Sequence, residues 1–136
     1  MTPEQAEFLK ARRLGSLATG RRDGSPQQSL IAYEFDSTDI VLQTGGGSAK
    51  ARNVGRVPAV SLLVQDGGRY LVVQGTAEIV ASGAERRAAI RRARASGRNP
   101  ASDDDATLDA ELDENGSVAM RIVPGRAMGR IEERPA

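Results

Sequence analysis

A chain of 136 residues with 39 % hydrophobic residues has apolar material for one core, and two domains of this size would each be too small to build one. Aromatics are 3 % and Trp is absent, so that core must be built from Val, Leu, Ile and Ala, and association with a second copy would add to a modest buried area. The net charge of +1 leaves no global basic footprint for nucleic acid, and the absence of Cys and His excludes disulfides, thiolate nucleophiles, Ser-His-Asp triads and zinc or haem held by His or Cys.

Thr2-Pro3-Glu4-Gln5 reads as a helix start, with Thr2 as cap, Pro3 at the first helical position and Gln5 placed to answer the cap. The helix is expected to run to about Arg13. This charged segment has no apolar stretch of the signal-peptide type, and no run approaches the roughly 20 residues needed to span a bilayer. A cytoplasmic location is expected, with which the lack of Cys is compatible.

Leu14 to Thr19 reads as a strand, Arg22-Asp23-Gly24-Ser25-Pro26 as a turn around an Asp-Gly pair, and Gln27 to Phe35 as the return strand. A turn at Asp36–Asp39 leads into a third strand, Ile40 to Thr44. Glycines 45–47 interrupt the meander, and Ser48 caps a short helix, Ala49 to Arg56, which Pro58 ends. Ala59 to Gln65 and Tyr70 to Ala81 form a hairpin about Asp66-Gly67-Gly68. Gly75 inside the second of these marks a bulge or a close backbone approach. Ser82 is expected to cap a helix from Gly83 to about Ala95, and Ser102 a second from about Asp103 to Glu114. Ser117 to Val123 is the last strand, continued by Ala127–Ile131 past a kink at Pro124-Gly125, and residues 132–136 read as frayed. About six strands joined mainly by hairpins, with helices beside them, predict an antiparallel barrel.

Six arginines lie between Arg86 and Arg98, and seven carboxylates between Asp103 and Glu114. Such blocks read best as two helix faces paired with each other. The acidic run lacks the Gly and closing Glu of a calcium loop.

The stretch richest in chemistry is Thr44 to Asn53. A strand ends, glycines free the backbone and a helix begins, so unpaired N–H groups and a partial positive charge meet the Ser48 hydroxyl and the charges of Lys50 and Arg52, with Arg56 one turn further on. Spacing alone is compatible with a phosphate site and, more readily, with a flexible glycine loop followed by a capped helix bearing surface cations. The order of a nucleotide-binding P-loop is absent, and no βαβ unit supports a dinucleotide fingerprint.

The ordered series Gly15-Ser16-Leu17-Ala18-Thr19, Asp23-Gly24-Ser25-Pro26-Gln27, Thr44-Gly45 with Ser48-Ala49-Lys50-Ala51-Arg52-Asn53, Pro58-Ala59-Val60-Ser61-Leu62, Val73-Gln74-Gly75-Thr76-Ala77-Glu78 and Met120-Arg121-Ile122-Val123-Pro124 resembles the pyridoxamine-phosphate-oxidase-like split barrels. Within them it looks most like the actinobacterial flavin/deazaflavin oxidoreductases. The resemblance implies one mainly β, split-barrel domain over residues 1–136, with an N-terminal helix at 1–13 and a helical insertion at 83–114. It implies a homodimer with cofactor sites at the interface, holding the deazaflavin coenzyme F-420 or FMN. By that resemblance Ser48, Ala49 and Lys50 would take the phosphate, with Asn53 and Arg56 close by. Gln43 and Thr44 would line the cofactor, Gln28, Ser29 and Leu30 would border its ring, and Val73 and Gln74 would be neighbours from another strand. Gly46 and Ala49 stand where deazaflavin-binding relatives often carry cations, and FMN, with one terminal phosphate, needs fewer of them.

A hydride-transfer oxidoreductase suits a chain without His or Cys, because the cofactor carries the reacting atoms. The substrate class implied is a small unsaturated or quinone-like molecule. Tyr33 is the one side chain named as a possible proton donor, against solvent and against its use as a core or interface aromatic. A non-catalytic flavin or deazaflavin carrier on the same barrel is the alternative from a different class.

Overall fold

Helix α1, Pro3–Lys10, starts as its sequence dictates. The Thr2 hydroxyl accepts from the Gln5 N–H at 3.1 Å, and the Gln5 side chain accepts from the Thr2 N–H at 2.9 Å. The computed structural model describes residues 1–132, and the expected fraying at 133–136 lies outside the described residues. Seven strands follow or interleave with three more helices: β1 Leu14–Gly20, β2 Pro26–Ala32, β3 Glu34–Phe35, β4 Ile40–Gly45, α2 Ala49–Arg56, β5 Ala59–Asp66, β6 Arg69–Val80, α3 Gly83–Arg94, α4 Asp105–Asn115 and β7 Ser117–Arg130. All pairings are antiparallel, in the order β2-β1-β5-β6-β7-β4-β3. The two ends of this order, β2 and β3, are neighbours in the chain, so the sheet curls back on itself at their junction.

That junction corrects the single return strand expected over Gln27–Phe35. The chain leaves β1 at Ala32 and joins β4 at Glu34. Tyr33 makes the corner: its N–H donates to the Arg13 carbonyl at 2.8 Å, and its buried hydroxyl donates to the Leu9 carbonyl at 2.7 Å. Burial pushes the phenol well above its ordinary value. Tyr33 is thus a core aromatic tying α1 to the barrel.

Alternation along the strands separates two cores. Ile40 and Leu42 of β4 and Met120 and Ile122 of β7 point into the barrel, with Leu17, Leu62, Leu71 and Val73 from the other strands and Phe8 and Leu9 from α1. Val41 and Ala119 point the other way, against Ile90 of α3 and Leu108 and Leu112 of α4. Each fully buried Leu or Ile stabilises the fold by about 1.5–3 kcal/mol before entropy is counted. β7 runs through Pro124-Gly125 as one strand, and the irregularity expected there is a shift of its register on β6. Between the pairs Val73–Ala127 and Gly75–Pro124, Gln74 of β6 faces both Gly125 and Arg126 of β7, so the bulge lies in β7, and Gly75 is the expected close backbone approach, its Cβ position 2.7 Å from the Val123 carbonyl oxygen. Beyond Ile122, β7 keeps only β6 as a neighbour, so the missing Pro124 N–H is tolerated.

The helical layer pairs charge as its composition implies. Arg86, buried, donates to the Ser117 carbonyl at 3.3 Å and meets Asp113 at 2.9 Å, while Arg87 and Arg91 reach Asp109 and Asp105. Arg92 clamps α3 to the β3–β4 turn through Glu34 and Asp39. Two expected caps differ. Ser82 makes no side-chain cap bond. The cap of α4 is Asp104, not Ser102: its carboxylate accepts from the Thr107 N–H at 2.9 Å and adds negative charge at the positive helix end. Among the described residues, no helix is long and apolar enough to cross a membrane.

Candidate functional site

The Ser48 cap forms as expected. Its hydroxyl accepts from the Ala51 N–H at 3.2 Å and lies 3.0 Å from the buried Thr44 hydroxyl, which pins the end of β4 to the start of α2. The first turn of α2 therefore holds a fixed direction, and its leading N–H groups have no partner within the helix.

Beside α2 runs a cleft of about 530 Å³, lined by Ala49, Arg52, Asn53 and Arg56 from the helix and by Arg21, Arg22 and Asp23 from the β1–β2 turn. Four guanidiniums face one carboxylate. Asn53 forms the floor and is buried. Its amide nitrogen donates to the Thr19 hydroxyl at 3.0 Å, that hydroxyl donates to the Gln27 side-chain oxygen at 3.1 Å, and the Arg56 guanidinium donates to the Asn53 side-chain oxygen. Asn53 thereby acts as a bracket that locks α2 to β1 and holds the Arg56 head at the cleft. Asp23 is tied down by the Ser25 hydroxyl and N–H, at 2.6 and 2.9 Å, and these hydrogen bonds hold its carboxyl below the usual range.

A second groove, of about 490 Å³, opens on the outer face of the sheet and shares the same turn: Gly20, Gly24 and Pro26 form its rim, and Ala18, Ser61, Gln74 and Gly75 its floor. Among the described residues, no ionisable side chain lines it. Its floor belongs to a cross-strand row, Gln28–Ala18–Ser61–Gln74. The next row outward, Leu30–Ser16–Leu63–Val72–Met128, is largely apolar, and Leu30 is 74 % exposed.

The residues expected at the site fall into three groups. Ala49, Asn53 and Arg56 line the cleft, with Ser48 as the helix cap, while Lys50 lies half-buried on the first turn of α2 and outside the cleft lining. Gln28, Leu30 and Gln74 share the outer sheet face. Ser29 and Val73 point the other way, into the barrel. Val73 is fully buried there, and the Ser29 hydroxyl is buried without a hydrogen-bond partner among the described residues. Gln43 and Thr44 also diverge: Gln43 faces the helical layer, where its side chain accepts from Arg94 at 2.8 Å and donates to Ser117 at 3.2 Å. Arg21 and Arg22 join the site although the sequence does not single them out. Two arginines at a tight Asp-Gly turn are the signal that marks them, but sequence does not say what that turn faces.

The donor set suits a ligand that is anionic at one end and planar and uncharged at the other. The side chains of Arg22 and Arg52, on the turn and helix walls of the cleft, make no hydrogen bond or ion pair with any described residue, whereas those of Arg21 and Arg56 are partly engaged.

Comparison with known proteins identifies the frame. A family model described as pyridoxamine 5'-phosphate oxidase matches residues 1–125. The chain belongs to that family. A biliverdin reductase of Mycobacterium tuberculosis dependent on reduced F-420 is 33 % identical over 81 residues, a stretch spanning 58 % of this chain and 59 % of that relative. Among solved structures, a conserved hypothetical protein of Mycobacterium tuberculosis superposes with a TM-score of 0.80 at 30 % identity, covering 96 % of this chain and 85 % of the other. A protein described as an F-420 reductase superposes with a TM-score of 0.68 at 26 % identity, covering 90 % of this chain and 94 % of the other. The split barrel read from the ordered sequence series is the fold found.

Proposed function

We propose that this chain is a deazaflavin (F-420)-dependent oxidoreductase that passes hydride from the reduced coenzyme to a small unsaturated or quinone-like substrate. The observation that carries the reading is the arginine-lined cleft opening beside an uncharged groove on the far side of one turn. Two similar proteins, the biliverdin reductase and the F-420 reductase, are described as using this coenzyme, which supports the choice.

When bound, the coenzyme supplies the hydride. The chain supplies position and charge. Ser48 fixes the start of α2, so that the N–H groups of Ala49 and Lys50 and the heads of Arg52 and Arg56 meet the phosphate. Asn53 acts through Arg56. Thr44 stands behind Ser48, and Gln43, on the opposite face, braces β4 against α3. Gln28, Leu30 and Gln74 border the ring on the outer sheet face, while Ser29 and Val73 support the same strands from within. With no ionisable side chain of the described residues in the groove, any proton needed comes from solvent.

FMN is the second reading, favoured by the uncharged Gly46 and Ala49. A fluorescence titration with each cofactor separates the two. Micromolar or tighter binding of F-420 with FMN ignored is the expected result, and preference for FMN would move the protein to a flavin oxidoreductase or a non-catalytic flavin carrier.

We also propose a cytoplasmic homodimer. The outer sheet face that carries the groove exposes Leu14, Leu30, Tyr70, Val123 and Met128, an apolar surface a second copy would cover. Sedimentation at twice the chain mass is expected, with Leu30→Glu shifting the protein to the monomer. Monomeric wild-type protein would remove the interface.

A further inference from the structure

The cleft beside α2 gathers more positive charge than one phosphate requires. Its helix wall brings Arg52 and Arg56, and its turn wall independently brings Arg21 and Arg22. Like charges held this close repel each other, and Asp23 offsets only one of them. The side chains of Arg22 and Arg52, on the turn and helix walls, have no described partner, so each is available to a separate anionic group. The turn is also fixed in place, by the Ser25 bonds to Asp23 and by the Arg21 guanidinium on the Pro26 carbonyl at 3.1 Å.

We infer that the β1–β2 turn is the second arm of a clamp for a ligand with at least two separate anionic groups, the first held from α2 and the next by Arg21 and Arg22. The inference rests on the coenzyme reading above. The carboxylates of the oligoglutamate tail of F-420 are the second group, and FMN has none to offer. The cations that the Gly45–Ser48 loop lacks are thereby supplied by a different segment of the chain.

The test titrates F-420 with its glutamate tail, and the same coenzyme stripped of its glutamates, into the wild-type chain, Arg22→Gln and Asp23→Asn at low and high salt. Arg22 has no described partner to lose, and the amide of the Asp23→Asn variant keeps a side-chain oxygen for the Ser25 bonds, so neither change removes a contact that the fold uses. The wild-type chain is expected to bind the tailed form about tenfold more tightly than the stripped form, as one charge-assisted contact allows, with the difference shrinking at high salt. Arg22→Gln narrows the difference and Asp23→Asn widens it. Equal affinity of the wild-type chain for both forms would overturn the second arm and leave the coenzyme reading standing. Binding of neither form would overturn both.

Discussion

Gly75→Val is expected to destabilise the fold by about 3 kcal/mol, the upper end of the cost of forcing volume into a packed region. A Cβ at this position would stand 2.7 Å from the Val123 carbonyl oxygen and 2.9 Å from the Ile122 side chain. The first of these is backbone in the paired strand and cannot turn aside. Gly75 also adjoins the β7 bulge opposite Gln74, where the register of β6 on β7 is set. Urea unfolding reads the effect, and an unchanged midpoint would show that the two strands can part without cost. Gly55 offers the contrast within the same protein. Nothing lies within 4 Å of its Cβ position, and it sits inside α2. Gly55→Ala is expected to raise stability by about 0.5–1 kcal/mol through helix propensity alone.

Arg56→Ala is expected to weaken cofactor binding by about 1.5–3 kcal/mol, the scale of a hydrogen bond to a charged group, which is tenfold or more in Kd. Arg56 is the one cleft arginine whose head is anchored to a buried side chain, Asn53, so its loss removes a preorganised donor and not a wandering surface charge. Arg56→Lys keeps the charge but loses the fork that spans Asn53 and the ligand, and is expected to recover only part of the affinity. A Kd equal to that of the wild-type protein in the Ala variant would take Arg56 out of the site.

The helical layer adds rigidity to this arrangement without entering it. Gln43 is bonded to Arg94 and Ser117, and Arg92 grips the turn that leads into β4. β4 ends at Thr44 and Gly45, and the Thr44 hydroxyl meets the Ser48 cap. The arginines of α3 are thus occupied with carboxylates of α4 and of the β3–β4 turn, as the pairing of the two charged blocks leads one to expect.

Several local signals were legible in the sequence where one or two residues suffice to decide them, though the same kind of signal misled at Ser82 and Ser102. Thr2 and Gln5 close their capping box because both groups lie within one helical turn. Ser48 caps α2 because a hydroxyl followed by a helix-forming run has an N–H to satisfy. Gly75 reads as a bulge or a close backbone approach because a lone glycine in a long strand has no side chain to pack, and the close approach to β7 is the one that forms. The ordered series of such signals was enough to name the barrel. What the tertiary structure decided is which way the strand residues point and which loops meet. Adjacent residues in a strand face opposite sides, so the pairs Gln43–Thr44, Val73–Gln74 and Ser29–Leu30 could not each stand whole on one surface. Tyr33 turns the chain from β1 to β4 because its hydroxyl reaches the Leu9 carbonyl, a contact 24 residues back. Arg21 and Arg22 face Arg52 and Arg56 only because β1 carries Thr19, and Thr19 accepts from Asn53 of α2 across 34 residues of chain. Those meetings depend on long-range closure of the sheet, and no local pattern encodes them.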